Sequence, residues 1–230
     1  MSGEADDDEL VEHTASPRAC QDGADDHAGT GSTWSVPPEG IPAWRRQRRA
    51  ELLAARIAMP ARERARAAET VARVLDELVV LDPDTLISLY WPFRGELNLR
   101  GWMHDAWRRG ARIALPVVVR KAAPLVFREW TPDARLEPGV WNIPVPVDGA
   151  VVDPSVVIAP LVGFDPVGFR LGYGGGFFDR TLAALAERQR PPTVIGVGHS
   201  ATRLDTIHPL PHDIPMQTII TEAGVFEIER

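Results

Sequence analysis

The stretch that decides the fold is Val167-Gly-Phe-Arg-Leu-Gly-Tyr-Gly-Gly-Gly-Phe-Phe-Asp-Arg180. The apolar run at residues 156–164 before it is typical of a buried strand, and residues 181–188 after it are typical of a helix. The glycines between them cannot pack a core and would weaken any regular element that contained them. The segment is therefore predicted to be a loop that joins a strand to a helix.

This glycine loop has the chemistry of an anion-binding site. Its backbone N–H groups can approach an anion closely, and the N-terminal end of the following helix favours negative charge. Arg170 and Arg180 bracket the loop, and a guanidinium can contact two phosphate oxygens at once. Asp179 could hold a metal ion that bridges phosphates. The alternative is a flexible connection with Asp179 as a helix N-cap, but the two arginines favour phosphate binding.

Outward from the loop, predicted strands alternate with predicted helices. The helices are expected at residues 43–57, 61–80 and 99–109, and the other strands at residues 86–90, 113–119, 124–130, 193–198 and 216–221. This order predicts an α/β fold: a three-layer, mostly parallel, Rossmann-like sheet with helices on both faces. Ligands of such folds bind at the carboxyl ends of strands. The glycine loop, residues 91–96 and the segment after Gly198 are therefore expected to lie close together.

Charge separates the chain into two parts. Residues 1–40 contain ten acidic residues and one basic residue, a net charge of −9, so that the remainder of the chain carries +2. Few of the first 40 residues are large and apolar, which predicts a disordered acidic leader. Residues 41–230 are predicted to form a single α/β domain, and its near-neutral charge does not repel anionic ligands.

Cysteine content and hydropathy exclude several classes of protein. The chain has one cysteine, Cys20, which excludes a disulfide framework or a Cys-ligated zinc site within one chain. No segment approaches the roughly 20 apolar residues of a membrane span, and the N-terminus lacks the pattern of a secretory signal. The predicted location is the cytoplasm, with no membrane partner.

The first two predicted helices are rich in arginine. Nine arginines and three acidic residues fall between Arg45 and Arg73, a pattern that raises the possibility of RNA binding. The segment lacks interleaved aromatic residues apart from Trp44, and most such runs are solvated faces. We therefore expect no nucleic-acid partner and instead expect one or two of these arginines to contact a bound phosphate.

Two more acidic residues lie in loops after strands. Glu96 follows the strand at residues 86–90, and Asp213 lies in the proline-rich turn Pro209-Leu-Pro-His-Asp-Ile-Pro215. Asp179 and Asp213 could share one Mg²⁺, which commonly takes one or two protein carboxylates and completes its shell with water and phosphate. A turn aspartate that caps its own backbone is the alternative for Asp213.

The longest motif resembles a known family. Gly163-Phe-Asp-Pro-Val-Gly-Phe-Arg-Leu-Gly-Tyr-Gly-Gly-Gly-Phe-Phe-Asp179 is similar to the signature of the 5-formyltetrahydrofolate cyclo-ligases, also called methenyltetrahydrofolate synthetases. That signature is an apolar strand, Phe-Asp, a short gap and Gly-x-Arg-Leu-Gly-x-Gly-x-Gly-Tyr-Tyr-Asp. The resemblance spans about residues 43–225 and leaves only the leader unmatched.

The resemblance implies an enzyme that closes 5-formyltetrahydrofolate to 5,10-methenyltetrahydrofolate, with ATP and Mg²⁺ as cofactors and small molecules as partners. A monomer or a weak homo-oligomer is expected. The site residues that the resemblance implies fall into four groups: Arg45, Arg49, Arg170, Leu171, Gly172, Tyr173, Gly174, Gly175, Gly176, Phe177 and Phe178 for ATP; Arg49, Trp91, Glu96, Tyr173 and Phe177 for the folate; Asp179 and Asp213 for the metal; and Arg170 and Glu96 for catalysis.

Three departures from the family pattern leave other functions open. Phe177-Phe178 replaces the usual Tyr-Tyr, Arg45 replaces a lysine, and the segment at residues 199–203 lacks a glutamine usual after the penultimate strand. The alternatives are a paralogue that binds nucleotide or folate without turnover, an enzyme for another formyl compound, and an RNA-binding regulator.

Overall fold

In the computed structural model, residue 37 and residues 39–228 are described. The predicted leader, residues 1–40, therefore lies almost entirely outside the described residues. The helices are α1 Ile41–Ala58, α2 Ala61–Leu78, α3 Arg100–Arg108 and α4 Phe177–Ala186. The strands are β1 Leu86–Ser88, β2 Arg112–Val117, β3 Val126–Trp130, β4 Leu136–Pro138, β5 Pro144–Pro146, β6 Val151–Val152, β7 Val156–Pro160, β8 Gly163–Phe164, β9 Arg170–Leu171, β10 Thr193–Val197, β11 Thr218–Thr221 and β12 Gly224–Phe226.

A mostly parallel sheet of eight strands lies at the centre of the fold. The strand order is β12-β11-β10-β7-β1-β2-β3-β6. The five strands from β11 to β2 are parallel to one another, and antiparallel pairs occur only towards the two edges. The prediction of a mostly parallel sheet is confirmed.

Helices cover both faces of this sheet. Val71 of α2 and Met103 of α3 are fully buried in the same apolar cluster as Ile87 of β1. Leu182 of α4 packs on the opposite face with Val157 of β7. Neighbouring residues of a strand point to opposite faces, so the central strands are apolar on both sides. The three-layer prediction is therefore confirmed.

The arginine-rich segment forms two helices, as predicted. α1 ends at Ala58, and Pro60 precedes the first residue of α2, because proline lacks the N–H that a continuing helix needs. Arg56 is the fully buried residue of α1, so polar contacts help to position this helix. Among the described residues, no helix combines the length and the apolar character required to cross a membrane.

The expected long strand before the glycine loop is shorter than predicted. β7 ends at Pro160, and the chain then forms a small antiparallel hairpin in which β8 pairs with β9. A Cβ atom on Gly163 would lie 2.7 Å from Leu52 Cδ1 and 3.1 Å from the Thr202 carbonyl oxygen, so a side chain at this bend would crowd both neighbours. Apolar periodicity cannot reveal this bend because the residues on both sides are buried. The glycine loop accordingly connects a hairpin, rather than β7 itself, to α4.

Two further features were missed at the ends of predicted segments. No strand was predicted after residues 216–221, but the chain reverses there and β12 pairs antiparallel with β11. The proline-rich connection after β3 contains a second small hairpin, in which β4 pairs with β5. Short strands rich in proline carry little of the pattern by which strands are recognised.

Replacing Gly149 with alanine is expected to destabilise the fold by about 2–3 kcal/mol through overpacking. A Cβ atom at this position would lie 2.1 Å from the Glu129 carbonyl oxygen of β3, and a backbone atom cannot move aside as a side chain can. Gly101 in α3 is the matched control, since a Cβ atom there meets nothing within 4 Å. Gly101→Ala should leave the free energy of unfolding unchanged or raise it by up to about 1 kcal/mol, as measured by denaturant titration.

Candidate active site

One cavity of about 420 Å³ brings the predicted site residues together. It opens beyond the carboxyl ends of the parallel strands, where α/β folds bind their ligands, and its volume suits a small molecule. The predicted residues that line it are Arg45, Arg49, Trp91, Glu96, Arg170, Gly172, Tyr173, Gly174, Gly175, Gly176, Phe177, Phe178, Asp179 and Asp213. Leu171 does not line it, because its side chain is fully buried in β9.

The glycine loop curves over one end of the cavity. Gly174 and Gly176 have φ values of +96° and +61°. Residues other than glycine rarely adopt such positive φ values. Gly176 is the N-cap of α4, so the loop delivers its backbone to a helix N-terminus, where anions are favoured. Asp179 lies in the first turn of α4 rather than at the N-cap. The alternative of Asp179 as an N-cap is therefore wrong.

Arg49 of α1 lies against this loop. Its Nε donates a hydrogen bond of 2.6 Å to the Gly172 carbonyl oxygen, and a Cβ atom on Gly174 would lie 3.3 Å from its guanidinium carbon. Glycine thus allows the guanidinium to approach the loop backbone. The pKa of Arg49 is lowered mainly by burial and, to a smaller extent, by repulsion from the positive charges of Arg45 and Arg46. A bound anion would relieve that repulsion.

Two arginine–aspartate pairs lie at the same end of the cavity. Arg170 Nη2 is 2.9 Å from Asp179 Oδ1, and Arg45 Nη2 is 3.0 Å from Asp213 Oδ2. Ile214, the residue after Asp213, donates its backbone N–H to Asp179 Oδ1 at 3.3 Å. The two carboxylates, from distant parts of the sequence, therefore belong to one cluster. Asp213 Oδ2 also accepts a hydrogen bond from the Leu210 N–H at 2.7 Å, so the turn-capping alternative is confirmed together with the ion pair.

Each of these two arginines has one side-chain nitrogen without a hydrogen-bond partner among the described residues. Arg45 Nε and Arg170 Nη1 are buried and have no hydrogen-bond partner among the described residues. An unsatisfied buried N–H group costs about 1–3 kcal/mol, and more for a charged group. Phosphate oxygens would satisfy both. No group of three or more His, Cys, Asp or Glu side chains with metal-binding geometry occurs in the described chain, so Asp179 and Asp213 suit Mg²⁺ only if phosphate and water complete its shell.

Glu96 lies at the other end of the cavity in a buried hydrogen-bond network. Its Oε2 accepts from the Phe93 N–H, and its Oε1 accepts from the Tyr173 hydroxyl, both at 2.9 Å. Burial raises the pKa of Glu96 to about 7, and the positive charge of Arg56 opposes this increase. Each carboxylate oxygen keeps a second lone pair with which to accept a hydrogen bond from a ligand.

Aromatic rings form a wall beside Glu96. Phe93 stacks on Trp141 with ring centroids 6.2 Å apart and an angle of 8° between the planes. Tyr173 and Phe177 lie 6.1 Å and 6.4 Å from the Trp141 ring. Trp141 is 50% exposed and has a φ of 56°, so the connection between β4 and β5 presents it to the opening of the cavity. Flat ligand rings stack on surfaces of this kind.

Sequence comparisons identify the family. A sequence model of the 5-formyltetrahydrofolate cyclo-ligase family matches residues 41–222. The chain belongs to this family.

Individual relatives agree with this assignment. The 5-formyltetrahydrofolate cyclo-ligase of Escherichia coli strain K12 is 33% identical over 147 residues, which cover 61% of this chain and 80% of the relative. That of Mycolicibacterium smegmatis is 30% identical over 188 residues, covering 78% of this chain and 94% of the relative. The NMR structure of the Aquifex aeolicus 5,10-methenyltetrahydrofolate synthetase superposes with a TM-score of 0.69 at 26% identity, covering 81% of this chain and 93% of that one.

Three residues of this cyclo-ligase-family chain that differ from the usual family pattern, Arg45, Phe177 and Phe178, make defined contacts in the cavity wall. The Phe178 ring lies against the Arg170 guanidinium, with 5.4 Å between the guanidinium carbon and the ring centroid. Phe177 meets Trp141 edge to face. Both rings therefore support neighbours that line the cavity. Arg45 stands where the family usually has lysine. Its Nη2 forms the ion pair with Asp213, and its Nε has no hydrogen-bond partner in the described chain.

Sequence reasoning missed three residues of this cyclo-ligase-family site. Trp141 stood in a stretch that resembles the family, but no pattern in the residues singled it out. Phe93 lies in the same loop as Glu96, but no role was predicted for it. Arg56 was one of nine arginines in a helical run, and the one available signal was its position on the apolar side of α1. Arg56 is nevertheless only 3% exposed.

Ionisation of Glu96 is expected to reduce stability. The folded state binds a proton more tightly than the unfolded chain, because the pKa is raised from 4.5 to about 7. The resulting stabilisation is fully present below pH 4.5 and is lost as the pH rises through about 7. The free energy of unfolding changes by about 3 kcal/mol over this range. Glu96→Gln cannot ionise, so its free energy of unfolding should increase relative to the unchanged protein by that amount between about pH 4 and pH 8. Urea unfolding at several pH values measures this, and a pH-independent difference would contradict the assignment.

Proposed function

We propose that this chain catalyses the ATP- and Mg²⁺-dependent closure of 5-formyltetrahydrofolate to 5,10-methenyltetrahydrofolate, with release of ADP and phosphate. The observation that carries the proposal is the single cavity described above. One end has the glycine loop and buried arginines with unsatisfied N–H groups, and the other has Glu96 beside the aromatic wall. A polyphosphate suits the first end, and a pterin ring suits the second.

The reaction needs the two substrates to meet between these ends. A formyl oxygen attached to an amide-like carbon is a poor leaving group, and transfer of the γ-phosphoryl group converts it into a good one. N10 of the folate then attacks the former formyl carbon, the bond from that carbon to oxygen breaks, phosphate leaves and the N10 proton is released. Catalysis of such a transfer consists mainly of positioning and charge stabilisation. We assign no general base.

At the phosphate end, Arg45, Arg49 and Arg170 are proposed to bind the phosphate oxygens together with the N–H groups of Gly172, Gly174, Gly175 and Gly176. The unsatisfied Nη1 of Arg170 and Nε of Arg45 support this assignment. Mg²⁺ would be held by Asp179 and Asp213, and its charge would neutralise the phosphate oxygens during transfer. Because both carboxylates are paired with arginines, binding would release Nη2 of Arg45 and Arg170 towards the phosphates.

At the folate end, Glu96 is proposed to anchor the pterin by accepting hydrogen bonds from its N–H groups. The free lone pairs of the buried carboxylate support this role. Trp91, Phe177 and Trp141 would contact the flat rings, and water would be excluded from the reacting atoms. Arg170 and Glu96 are therefore the proposed catalytic residues.

The direct test supplies the purified chain with 5-formyltetrahydrofolate, ATP and Mg²⁺. We expect the absorbance of the methenyl product to appear with one ADP per product molecule, and to be lost without ATP or with a chelator. Binding without product would instead support a paralogue that has lost turnover. Turnover of another formyl compound alone would overturn the substrate assignment, and salt-sensitive RNA binding that survives Asp179→Ala would support a regulator. The cytoplasmic location and the monomeric or weakly oligomeric state stay predictions.

A further inference from the structure

The Tyr173 side chain reaches from the glycine loop to Glu96. It belongs to the glycine loop, at a position that the family signature quoted above leaves unspecified. It donates a hydrogen bond of 2.9 Å to Glu96 Oε1 and accepts one from Arg56 Nη2. One hydroxyl therefore links the proposed phosphate loop to the proposed pterin anchor.

Arg56 fixes this hydroxyl from behind. Its Nε donates to the Arg94 carbonyl oxygen at 2.9 Å, and its Nη1 donates to the Leu161 carbonyl oxygen at 3.0 Å. The guanidinium is thus tied to the loop that carries Glu96 and to the end of β7, and it is only 3% exposed. Its planar fork cannot rotate without breaking several bonds at once. Tyr173 is consequently held in one orientation.

The loop with Glu96 is shaped to fit this arginine. Gly95 has a φ of +77°, and a Cβ atom there would lie 3.3 Å from the Arg56 carbonyl oxygen and 3.4 Å from its Cγ. Only glycine permits so close an approach at that φ value. The backbone before Glu96 therefore packs directly on α1.

We propose that Tyr173, fixed by Arg56, is a positioning residue that couples the two substrate sites, so that nucleotide on the glycine loop strengthens folate binding at Glu96. Phosphate bound to the glycine loop restrains the backbone that carries Tyr173, and the hydrogen bond from the hydroxyl, whose direction Arg56 sets, extends this restraint to the Glu96 carboxylate. By linkage, folate strengthens nucleotide binding by the same factor. The inference rests on the proposed function, because it takes the folate and the nucleotide as the two ligands.

Calorimetry on the full chain tests this coupling. The Kd for 5-formyltetrahydrofolate is measured with and without a non-hydrolysable ATP analogue and Mg²⁺. We expect the analogue to tighten folate binding about tenfold in the unchanged protein, the effect of one hydrogen bond to a charged group. In Tyr173→Phe, which keeps the ring and removes the hydroxyl, the ratio of the two Kd values should fall to within about twofold of one.

Tyr90→Phe is the matched control. It removes the other tyrosine hydroxyl of the chain, which lines the same cavity but donates its hydrogen bond to the Leu97 carbonyl oxygen at 2.9 Å and not to Glu96. Its coupling ratio should match that of the unchanged protein even though a buried hydrogen bond is lost. Full coupling in Tyr173→Phe, or no coupling in the unchanged protein, would overturn the inference and leave the proposed function intact. Failure of the unchanged protein to bind the folate at all would overturn both.

Discussion

Replacing Asp179 with asparagine is expected to lower kcat for the proposed cyclisation by about 10³-fold or more, with the fold retained. Asparagine has nearly the same size and can still accept the hydrogen bond that the Ile214 N–H donates to Asp179 Oδ1. It lacks the negative charge that would hold Mg²⁺ and that now pairs with Arg170 at 2.9 Å. Loss of the metal would leave the phosphate charge uncompensated during transfer.

The measurement is the ATP-dependent rate of product formation, with circular dichroism as the check on folding. Asp148→Asn is the matched control, because Asp148 forms a salt bridge with Arg135 in which both side chains are more than 70% exposed. Exposed pairs contribute little to stability, and this one is outside the cavity, so its variant should keep full activity. Full activity in Asp179→Asn would remove the metal assignment.

Replacing Arg170 with lysine is expected to lower kcat/KM for ATP by about 10²-fold or more. Lysine keeps the positive charge but cannot pair with Asp179 and, at the same time, direct a second N–H group into the cavity. In the unchanged protein, Arg170 Nη2 makes the ion pair, and Nη1 has no partner among the described residues. The residue is only 4% exposed, so water cannot take over the missing role.

Initial rates at several ATP concentrations measure this effect, and Arg188→Lys serves as the control. Arg188 forms a salt bridge with Asp153 in which the two side chains are 58% and 59% exposed, and it does not line the cavity. Its variant should behave as the unchanged protein. Unaltered kinetics in Arg170→Lys would show that the fork of this arginine does not contact the transferred phosphate.

The sequence was sufficient for features that depend on neighbouring residues. Apolar periodicity predicted the helices and the central strands, because each of those elements buries a face with a regular repeat. Four glycines between Arg170 and Asp179 indicated a loop built for an anion, since close approach and positive φ are local properties of glycine. The length of the same motif was enough to indicate the family before any contact was known.

Tertiary structure alone decided what depends on contacts between distant residues. Arg56 is 117 residues from Tyr173 and 105 from Leu161, and its position on the apolar side of α1 does not reveal either of these partners. The pairing of Asp179 with Arg170, and of Asp213 with Arg45, likewise needed the fold to bring α1, α4 and the turn before β11 together. Local sequence sets the conformation of a segment, whereas the partner of a charged group is set by whatever the packed sheet brings within reach.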